Sequence, residues 1–256
     1  ATSSAILHRF LKYYSVEAPI YIPDRLTEGY GPNTEALQKL KTDGAEIVFL
    51  LDCGTTAFDI VAEGKAMGLE IIILDHHEAE DKLPDAKYII NPKRKDDGSG
   101  LTMLAACGVT FLTCVAINNR LKEKTGEAGP DLKNFLDLVA LGTVCDMVPL
   151  KGANRLFVKV GFEVLAARKN PGIRALLETA KVNSAPDVFT AGFVLGPRIN
   201  AGSRVHKADL GAQLLSTDDA EEAKNIAWTL HDCNEKRKEI QAQMEFEAIQ
   251  KVEASG

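Results

Sequence analysis

The sequence predicts an α/β fold: a doubly wound, mostly parallel sheet with helices on both faces, followed by a helical region and one long helix. Short apolar runs, AEIVFLLD (45–52) and LEIIILD (69–75), alternate with amphipathic stretches of helical length. These runs are too uniformly apolar for half-exposed strands. From residue 101 onward the periodicity of apolar residues is helical. Strands that alternate with helices indicate βαβ units and a parallel sheet.

Residues 2–15 are predicted to form the first helix, because apolar side chains recur at helical spacing between Ile6 and Tyr14. Thr2, Ser3 or Ser4 is the expected N-cap. The chain starts without Met and directly inside this helix. We therefore expect a fragment whose preceding strand lies upstream.

The next elements are a strand over 18–24 (APIYIPD) and a helix over 35–43 that Asn33 or Thr34 caps. The run at 45–52 is then expected to be a central strand, covered on both faces.

An amphipathic helix closed by Gly68 separates the run at 45–52 from the strand at 69–75. Residues 86–92 are the third strand of the predicted sheet.

The second half of the chain is predicted to be helical. Residues 151–176 hold six Lys or Arg against one Glu. This basic segment is either a solvated helical face or a surface that follows a phosphate backbone. From residue 216 we expect one long helix, with Asp218 and Glu221 as a capping box. Its apolar residues lie along one face and are Ile226, Leu230, Cys233, Ile240 and Met244.

Composition excludes several classes of protein. The formal net charge of -6 argues against a protein that coats nucleic acid over its whole surface. The five cysteines form no C-x-x-C pair, which indicates reduced thiols, a cytoplasmic location and no structural zinc. No apolar run approaches the roughly 20 residues that cross a bilayer, so no membrane association is expected.

Polar side chains follow two neighbouring predicted strands. Asp52 ends one strand, and Asp75, His76 and His77 end the next. Ligands of open parallel sheets bind at the carboxyl ends of the strands. Asp and His are the ligands expected for Mn, Mg or Zn with an open coordination position. The alternatives are that Asp52 caps the following helix and that the His pair lies in a solvated loop.

Two further stretches carry candidate site residues. Asp146 leaves an apolar segment and, taken alone, is more typical of a helix end than of a metal ligand. The stretch GPRINAGSRV (196–205) combines small residues with Arg198, Asn200 and Arg204, a pattern that favours phosphate binding. The alternative is an ordinary basic loop between helices.

Together, LLDCGTT, DHH, ALGTVCDMVPL and GPRINAGSRV resemble the motifs of the DHH phosphoesterase superfamily, in its order and at compatible spacing over essentially the whole chain. Within this superfamily, the chain resembles bacterial enzymes that digest single-stranded DNA from the 5′ end. IPDRLTEGYGPN resembles their loop between the first two βα units. The resemblance implies an exonuclease of DNA repair and recombination that releases mononucleotides, with two Mn²⁺ or Mg²⁺ ions as cofactors. Implied partners are single-stranded DNA, a single-strand-binding protein and a helicase.

The resemblance also implies roles for the residues at the strand ends. The implied metal ligands are Asp52, which bridges the two ions, His76 and Asp146. His77 corresponds to a histidine that faces the substrate phosphate. Asp75 corresponds to a residue that supports the metal ligands without binding a metal ion itself.

In the arginine motif, the resemblance places Arg198, Asn200 and Arg204 near the DNA phosphates. Ser203 departs from the motif, since a glycine is expected there. Its Cβ is expected to tighten or alter the surrounding loop.

Other parts of the implied enzyme are not in the sequence. An Asp-x-Asp motif that completes the metal site is expected immediately before Ala1, and a DHHA1 domain and an oligonucleotide-binding fold after residue 256. Residues 1–215 then form the catalytic lobe, with an α/β core to about 150 and a helical, basic part over 151–215. Residues 216–256 form a connector helix. We expect the isolated chain to be inactive or nearly so.

Two other functions remain open. One is a DHH enzyme for small substrates, either a phosphodiesterase acting on short oligonucleotides or cyclic dinucleotides, or a related pyrophosphatase. The other is a non-catalytic, DNA-associated scaffold. The long helix and the basic segment favour a polymeric substrate.

Overall fold

The computed structural model describes residues 1–24, 28–29, 31–205 and 207–255, without the side chains of residues 204, 205, 254 and 255. Within these ranges the sheet has three strands in the order β1 (Ile47–Leu51), β2 (Glu70–Leu74) and β3 (Tyr88–Ile90). Both strand pairs are parallel. The helices follow in chain order: α1 (Thr2–Tyr13), α2 (Thr34–Thr42), α3 (Phe58–Ala66), α4 (Ala106–Thr125), α5 (Leu136–Cys145), α6 (Gly152–Ala166), α7 (Pro171–Thr179), α8 (Gly196–Val205), α9 (Leu210–Ser216) and α10 (Ala220–Ser255). A 3₁₀ turn precedes α5, at Leu132–Phe135, and a π-helical turn precedes α8, at Thr190–Leu195.

The sheet is covered on both faces, as the sequence predicts. Side chains of successive strand residues point to opposite faces. Val48, Leu50, Ile71 and Ile73 pack in one core cluster with Leu37 of α2 and Val61 of α3. The alternate residues join a larger cluster that includes side chains of α1, α4 and α5; they are Phe49, Leu51, Ile72 and Leu74. The doubly wound α/β prediction is confirmed.

Two strand predictions are wrong in detail. Residues 18–24 form no strand, and Pro19 and Pro23 each lack the N–H that a sheet ladder requires. The strand predicted to be central, β1, is at the edge of the described sheet, with β2 in the middle. The half-exposed Ile47 fits that edge position.

Helix caps follow the predictions in part. Asn33 caps α2, with its Oδ1 accepting a hydrogen bond from the Ala36 amide at 2.7 Å. Helix α1 has Ala1 at its N-cap and no capping side chain, so the Thr or Ser cap is wrong. For α10, Asp219 accepts from the amides of Glu221 and Glu222. The predicted cap, Asp218, instead pairs with Arg9 and Lys12 of α1.

The C-terminal half contains two departures from the predicted pattern. The arginine motif at 196–205 is helix α8 rather than a loop. Helix α10 buries Leu230 and Cys233 against the body of the protein, but Ile240 and Met244 are exposed. The predicted apolar face of this helix is therefore buried only in its first half.

None of the helices in the described ranges is long and apolar enough to cross a membrane. All five cysteines are free thiols.

Candidate active site

The parallel pairing of β1 and β2 brings Asp52 and Asp75 to the same edge of the sheet. Leu51 pairs with Leu74, the last residue of each strand. The Asp52 amide donates a hydrogen bond to the Leu74 carbonyl at 3.0 Å, and its φ of 64° lies in the left-handed region, which turns the chain sharply. Asp52 does not cap α3, whose N-cap is Ala57.

His76 lies between two carboxylates. Its Nε2 is 3.2 Å from Asp52 Oδ1 and 3.3 Å from Asp146 Oδ2. On the other side of the ring, Nδ1 lies 3.1 Å from the carbonyl oxygen of Leu104. A carbonyl only accepts hydrogen bonds, so Nδ1 carries the proton and Nε2 faces the two acids. Three segments that are distant in sequence converge on one ring.

The electrostatics of this group favour a positive charge between the carboxylates. The hydrogen bond with Asp52 raises the pKa of His76, against the opposing effect of burial, and Asp146 adds to the increase. Burial raises the pKa of Asp146, with Asp52 adding to the effect and His76 opposing it. A positive charge beside Asp146 therefore favours the ionised form of this carboxyl group.

Asp75 is the buried centre of a second network, with 1% of its surface exposed. Its Oδ2 accepts hydrogen bonds from the Thr55 hydroxyl at 2.6 Å and the Thr55 amide at 3.1 Å. Its Oδ1 accepts from the His76 amide at 2.8 Å and from Nδ1 of His77 at 2.7 Å. Burial alone would raise the pKa of Asp75, but these hydrogen bonds outweigh burial and lower it. Asp75 is therefore an ionised support at neutral pH.

The contact with Asp75 orients the half-exposed His77 ring so that Nε2 is the nitrogen left for a ligand. One ligand atom from each of Asp52, His76 and His77 lies within 4.8 Å of the others. His77 thus lies with the candidate metal ligands, although the resemblance implies that it faces phosphate. The Asn91 side chain donates to the His77 carbonyl and to the Thr55 hydroxyl, both at 2.9 Å. This amide ties the exit of β3 to the exits of β1 and β2.

A cleft of about 180 Å³ opens beside the carboxylates. Its lining includes Asp52, Asp146 and Asn200, with Thr2 and Ser3 from the start of α1. The structure therefore brings together residues from the sheet edge, the end of α5 and α8.

The arginine motif is only partly in this cleft. Arg198 is buried and does not line it; its guanidinium donates to the Val194 carbonyl at 2.7 Å. Its Nε has no hydrogen-bond partner among the described residues, and burial lowers the pKa of the guanidinium. The Ser203 hydroxyl donates to the Asn200 carbonyl at 2.9 Å, within the helix. The side chain of Arg204 lies outside the described residues.

Sequence reasoning missed three groups of this site: the Thr55 side chain, the Asn91 side chain and the Leu104 carbonyl. Thr55 lies within the LLDCGTT stretch and Asn91 directly follows the third strand, so the strand-exit rule that singled out Asp52 applies to Asn91 also. The Leu104 carbonyl had no signal, because any residue type provides one.

Comparison with known proteins identifies a family whose members are similar to this chain. The model of the DHH family, N-terminal domain, matches residues 1–143. The single-stranded-DNA-specific exonuclease RecJ of Bacillus subtilis is 34% identical over 100% of this chain and 31% of its own length. The enzyme of the same name from Salmonella typhimurium is 39% identical over 89% of the chain and 41% of its own. The chain thus spans less than half the length of these two relatives.

Two solved structures are similar to this one. A crystal structure of exonuclease RecJ bound to manganese has a TM-score of 0.84 and 32% identity, covering 95% of this chain and 60% of that one. RecJ of Thermus thermophilus in complex with Mn²⁺ has a TM-score of 0.79 and 30% identity, covering 95% of this chain and 34% of its own.

Proposed function

The chain belongs to the DHH family, and on that premise we propose that it is the catalytic core of a metal-dependent exonuclease. The proposed enzyme hydrolyses single-stranded DNA to mononucleotides from the 5′ end, in repair and recombination. The observation that carries the proposal is the position of His76, whose Nε2 lies between Asp52 and Asp146 while Leu104 fixes its other nitrogen. The metal-bound structures and relatives named exonucleases support it.

The donor set fits divalent ions of the Mn²⁺ or Mg²⁺ type. An imidazole nitrogen and two carboxylates converge, and without a positive charge these three groups would repel one another. Carboxylate oxygens suit Mg²⁺ and Mn²⁺, and imidazole is a common partner for transition metals. We assign Asp52, His76 and Asp146 as ligands, with His77 beside them. When bound, two such ions supply an activated water and stabilise the charge that develops on the scissile phosphate.

The residues around these ligands position them. The Leu104 carbonyl fixes the tautomer of His76, and Asp75 fixes the ring of His77. The Nε2 atom of His77 is then left to hold a phosphate oxygen or to complete the metal site beside Asp52 and His76. Asp75 carries charge in a buried position because Thr55, the His77 ring and the amides of His76 and His77 donate hydrogen bonds to it. Outer hydrogen bonds of this kind typically control ligand affinity.

For the phosphate subsite, Asn200 is the member of the arginine motif that lines the cleft. Arg198 would have to leave the Val194 carbonyl to reach a phosphate, and it stays a predicted contact, as does Arg204. In its observed position, Arg198 also joins the π-helical turn to α8 through its hydrogen bond with Val194.

The remaining assignments follow from the same proposal. Residues 1–215 act as the catalytic lobe and residues 216–256 as a connector helix. The proposed location is the cytoplasm, and the proposed partners are single-stranded DNA, a single-strand-binding protein and a helicase. The free cysteines support a reducing compartment.

The test is digestion of a 3′-labelled single strand by the whole protein, including any residues that its gene encodes beyond these 256. We expect Mn²⁺- or Mg²⁺-dependent shortening of the labelled strand from its 5′ end, one nucleotide at a time, and no digestion of a blunt duplex. Asp52→Ala and His76→Ala should abolish it, whereas Asp59→Ala, at an exposed acid on α3, should not. Faster cleavage of dinucleotides would favour the small-substrate enzyme, and no hydrolysis with intact DNA binding would favour the scaffold.

A further inference from the structure

Two phenylalanines outside the candidate metal site are largely exposed. Phe189 and Phe193 have 63% and 72% of their surface in contact with solvent. Their rings stack on each other, with centroids 5.2 Å apart and planes inclined by 23°. The neighbouring Val188 is also exposed. Single exposed apolar residues are common, but a contiguous apolar patch usually indicates a binding surface.

The phenylalanine pair is carried by a turn that leads into a helix lining the cleft. The π-helical turn at Thr190–Leu195 carries Phe193, and π-helical turns are frequent at functional sites. The Cys145 thiol donates to the Ala191 carbonyl at 3.5 Å, which joins this turn to the end of α5 beside Asp146. The helix continues from the turn into α8, which provides Gly196 and Asn200 to the cleft.

The close packing of this turn fixes the position of the pair. A Cβ at Gly192 would lie 3.6 Å from Val144 Cγ1, and one at Gly196 would lie 2.6 Å from Cys145 Sγ. Gly196 therefore lets the turn rest directly on α5, whereas a side chain at Gly192 would make only an ordinary contact with Val144. The turn that carries Phe193, with Phe189 at its N-cap, is consequently held against the end of α5.

We propose that Phe189 and Phe193 form a stacking platform for an unpaired base of the DNA strand whose phosphate lies in the cleft. This inference rests on the proposed function. A flat aromatic face binds any base through its π-face, independent of sequence. A base inside a duplex is stacked on its neighbours and unavailable, so the platform adds a preference for single strands at the point where the strand reaches the carboxylates.

A base is the occupant that the position of the pair favours. The turn that carries the platform continues into α8, which lines the cleft with Gly196 and Asn200 beside the carboxylates, where the proposed substrate places a phosphate. In a strand, the base is attached to the same nucleotide as that phosphate. A protein segment has no such connection to the cleft, and it is an outcome that the test must distinguish.

The test compares binding of an oligo(dT) strand and of an abasic strand of equal length and charge to the whole protein. Fluorescence anisotropy in Ca²⁺ without Mn²⁺ or Mg²⁺ gives both dissociation constants. We expect Phe189→Ala/Phe193→Ala to weaken oligo(dT) binding about fivefold or more, from the usual worth of one stacked base, and to leave abasic binding unchanged. Phe189→Tyr/Phe193→Tyr keeps two aromatic rings and should retain the preference for oligo(dT) over the abasic strand. The control Phe246→Ala, at an exposed phenylalanine of α10, should also retain it.

Each other outcome overturns the inference. Equal losses for both strands, or no loss for either, would show that no base stacks on the pair. A lower melting temperature with an unchanged preference for oligo(dT) would show that protein covers the two rings. If the unaltered protein binds neither strand, the result contradicts the proposed function itself. If it binds both strands normally and the double Ala variant shows no selective loss of oligo(dT) binding, the result refutes only the stacking platform.

Discussion

His76 Nε2 lies 3.2 Å from Asp52 Oδ1, although the two residues follow different strands. The contact exists because β1 and β2 are parallel and in register, so that their carboxyl ends coincide. It also depends on the left-handed φ of Asp52 and on the Leu104 carbonyl behind the ring. The candidate metal site is thus a direct product of the sheet topology.

Thr55 is predicted to control the metal site through Asp75. Thr55→Ala removes the hydroxyl that donates to Asp75 at 2.6 Å and accepts from Asn91 at 2.9 Å, leaving buried partners unsatisfied. We expect the Mn²⁺ affinity, measured by titration with electron paramagnetic resonance detection, to fall roughly 10- to 100-fold. Thr55→Ser keeps the hydroxyl and should retain most of the affinity. Equal affinities for the Ala and Ser variants would contradict this role of the hydroxyl.

Asp137 is predicted to make stability depend on pH. It is buried in α5, and burial raises its pKa from 3.8 to about 6, although the Leu138 amide and Arg9 oppose the shift. A raised carboxyl pKa in the folded state means that its contribution to stability is full below about pH 4 and is lost as the pH rises through about 6.

Asp137→Asn should therefore raise the free energy of unfolding at pH 7 by up to about 3 kcal/mol and leave it nearly unchanged at pH 4. Urea unfolding at both pH values measures this difference. Asp59→Asn, at an exposed position, is the control and should show little difference. A variant that is less stable than the parent protein at pH 7 would show that the charged carboxylate stabilises the fold.

Local sequence patterns predict much of the fold, but they predict only part of the candidate metal site. The apolar runs at β1 and β2 and the acids and histidines after them are sequence features with physical causes. The strand prediction at residues 18–24 fails because alternating apolar residues do not make a strand around Pro19 and Pro23. At α8, Gly196 and Gly202 suggest a loop, whereas they serve close packing: a Cβ at Gly202 would lie 2.9 Å from Leu230.

Gly161 is predicted to be required for the contact between α5 and α6. A Cβ at this position would lie 2.2 Å from the Leu136 carbonyl oxygen, which is backbone and cannot turn aside. We expect Gly161→Ala to lower the free energy of unfolding by about 3 kcal/mol or more. Gly98→Ala places its Cβ where no atom lies within 4 Å and is the matched control. Similar unfolding midpoints for the two variants would contradict the packing argument.

One stripe of the basic segment is predicted to contact the DNA backbone. Lys151, Arg155 and Lys159 are exposed, lie four residues apart at the start and on one face of α6, and form no ion pair within the described part of the chain. We expect replacement of all three by Gln to reduce the slope of log affinity against log salt for a single strand by about 2, from roughly 0.7 per phosphate contact.

The control for this stripe changes the same number of charges elsewhere, at Lys122, Lys124 and Lys133, which are also exposed. It should leave the salt slope unchanged. An equal change of slope in both triple variants would show that net charge, rather than this stripe, sets the affinity.

What sequence patterns cannot provide is the partner of each polar group. The sequence shows that Asp75 and His77 are close along the chain. It does not show that Asp75 is buried and accepts a hydrogen bond from Thr55, or that Asn91 donates one to Thr55. Such contacts depend on the three-dimensional register of three strands. For the same reason, the sequence predicts a phosphate contact for Arg198 but reveals neither its burial nor its hydrogen bond with the Val194 carbonyl.

The most direct test of the central claim is electron spin-echo spectroscopy of Mn²⁺ bound to the whole protein, which detects nitrogen nuclei coordinated to the ion. With Asp52, His76 and Asp146 as ligands, the unaltered protein should show imidazole nitrogen coupling. His76→Ala should lose the coupling assigned to this ring, whereas the control His8→Ala, on α1, should keep it. A spectrum of bound Mn²⁺ without nitrogen coupling, or one that His76→Ala leaves unchanged, would contradict the account.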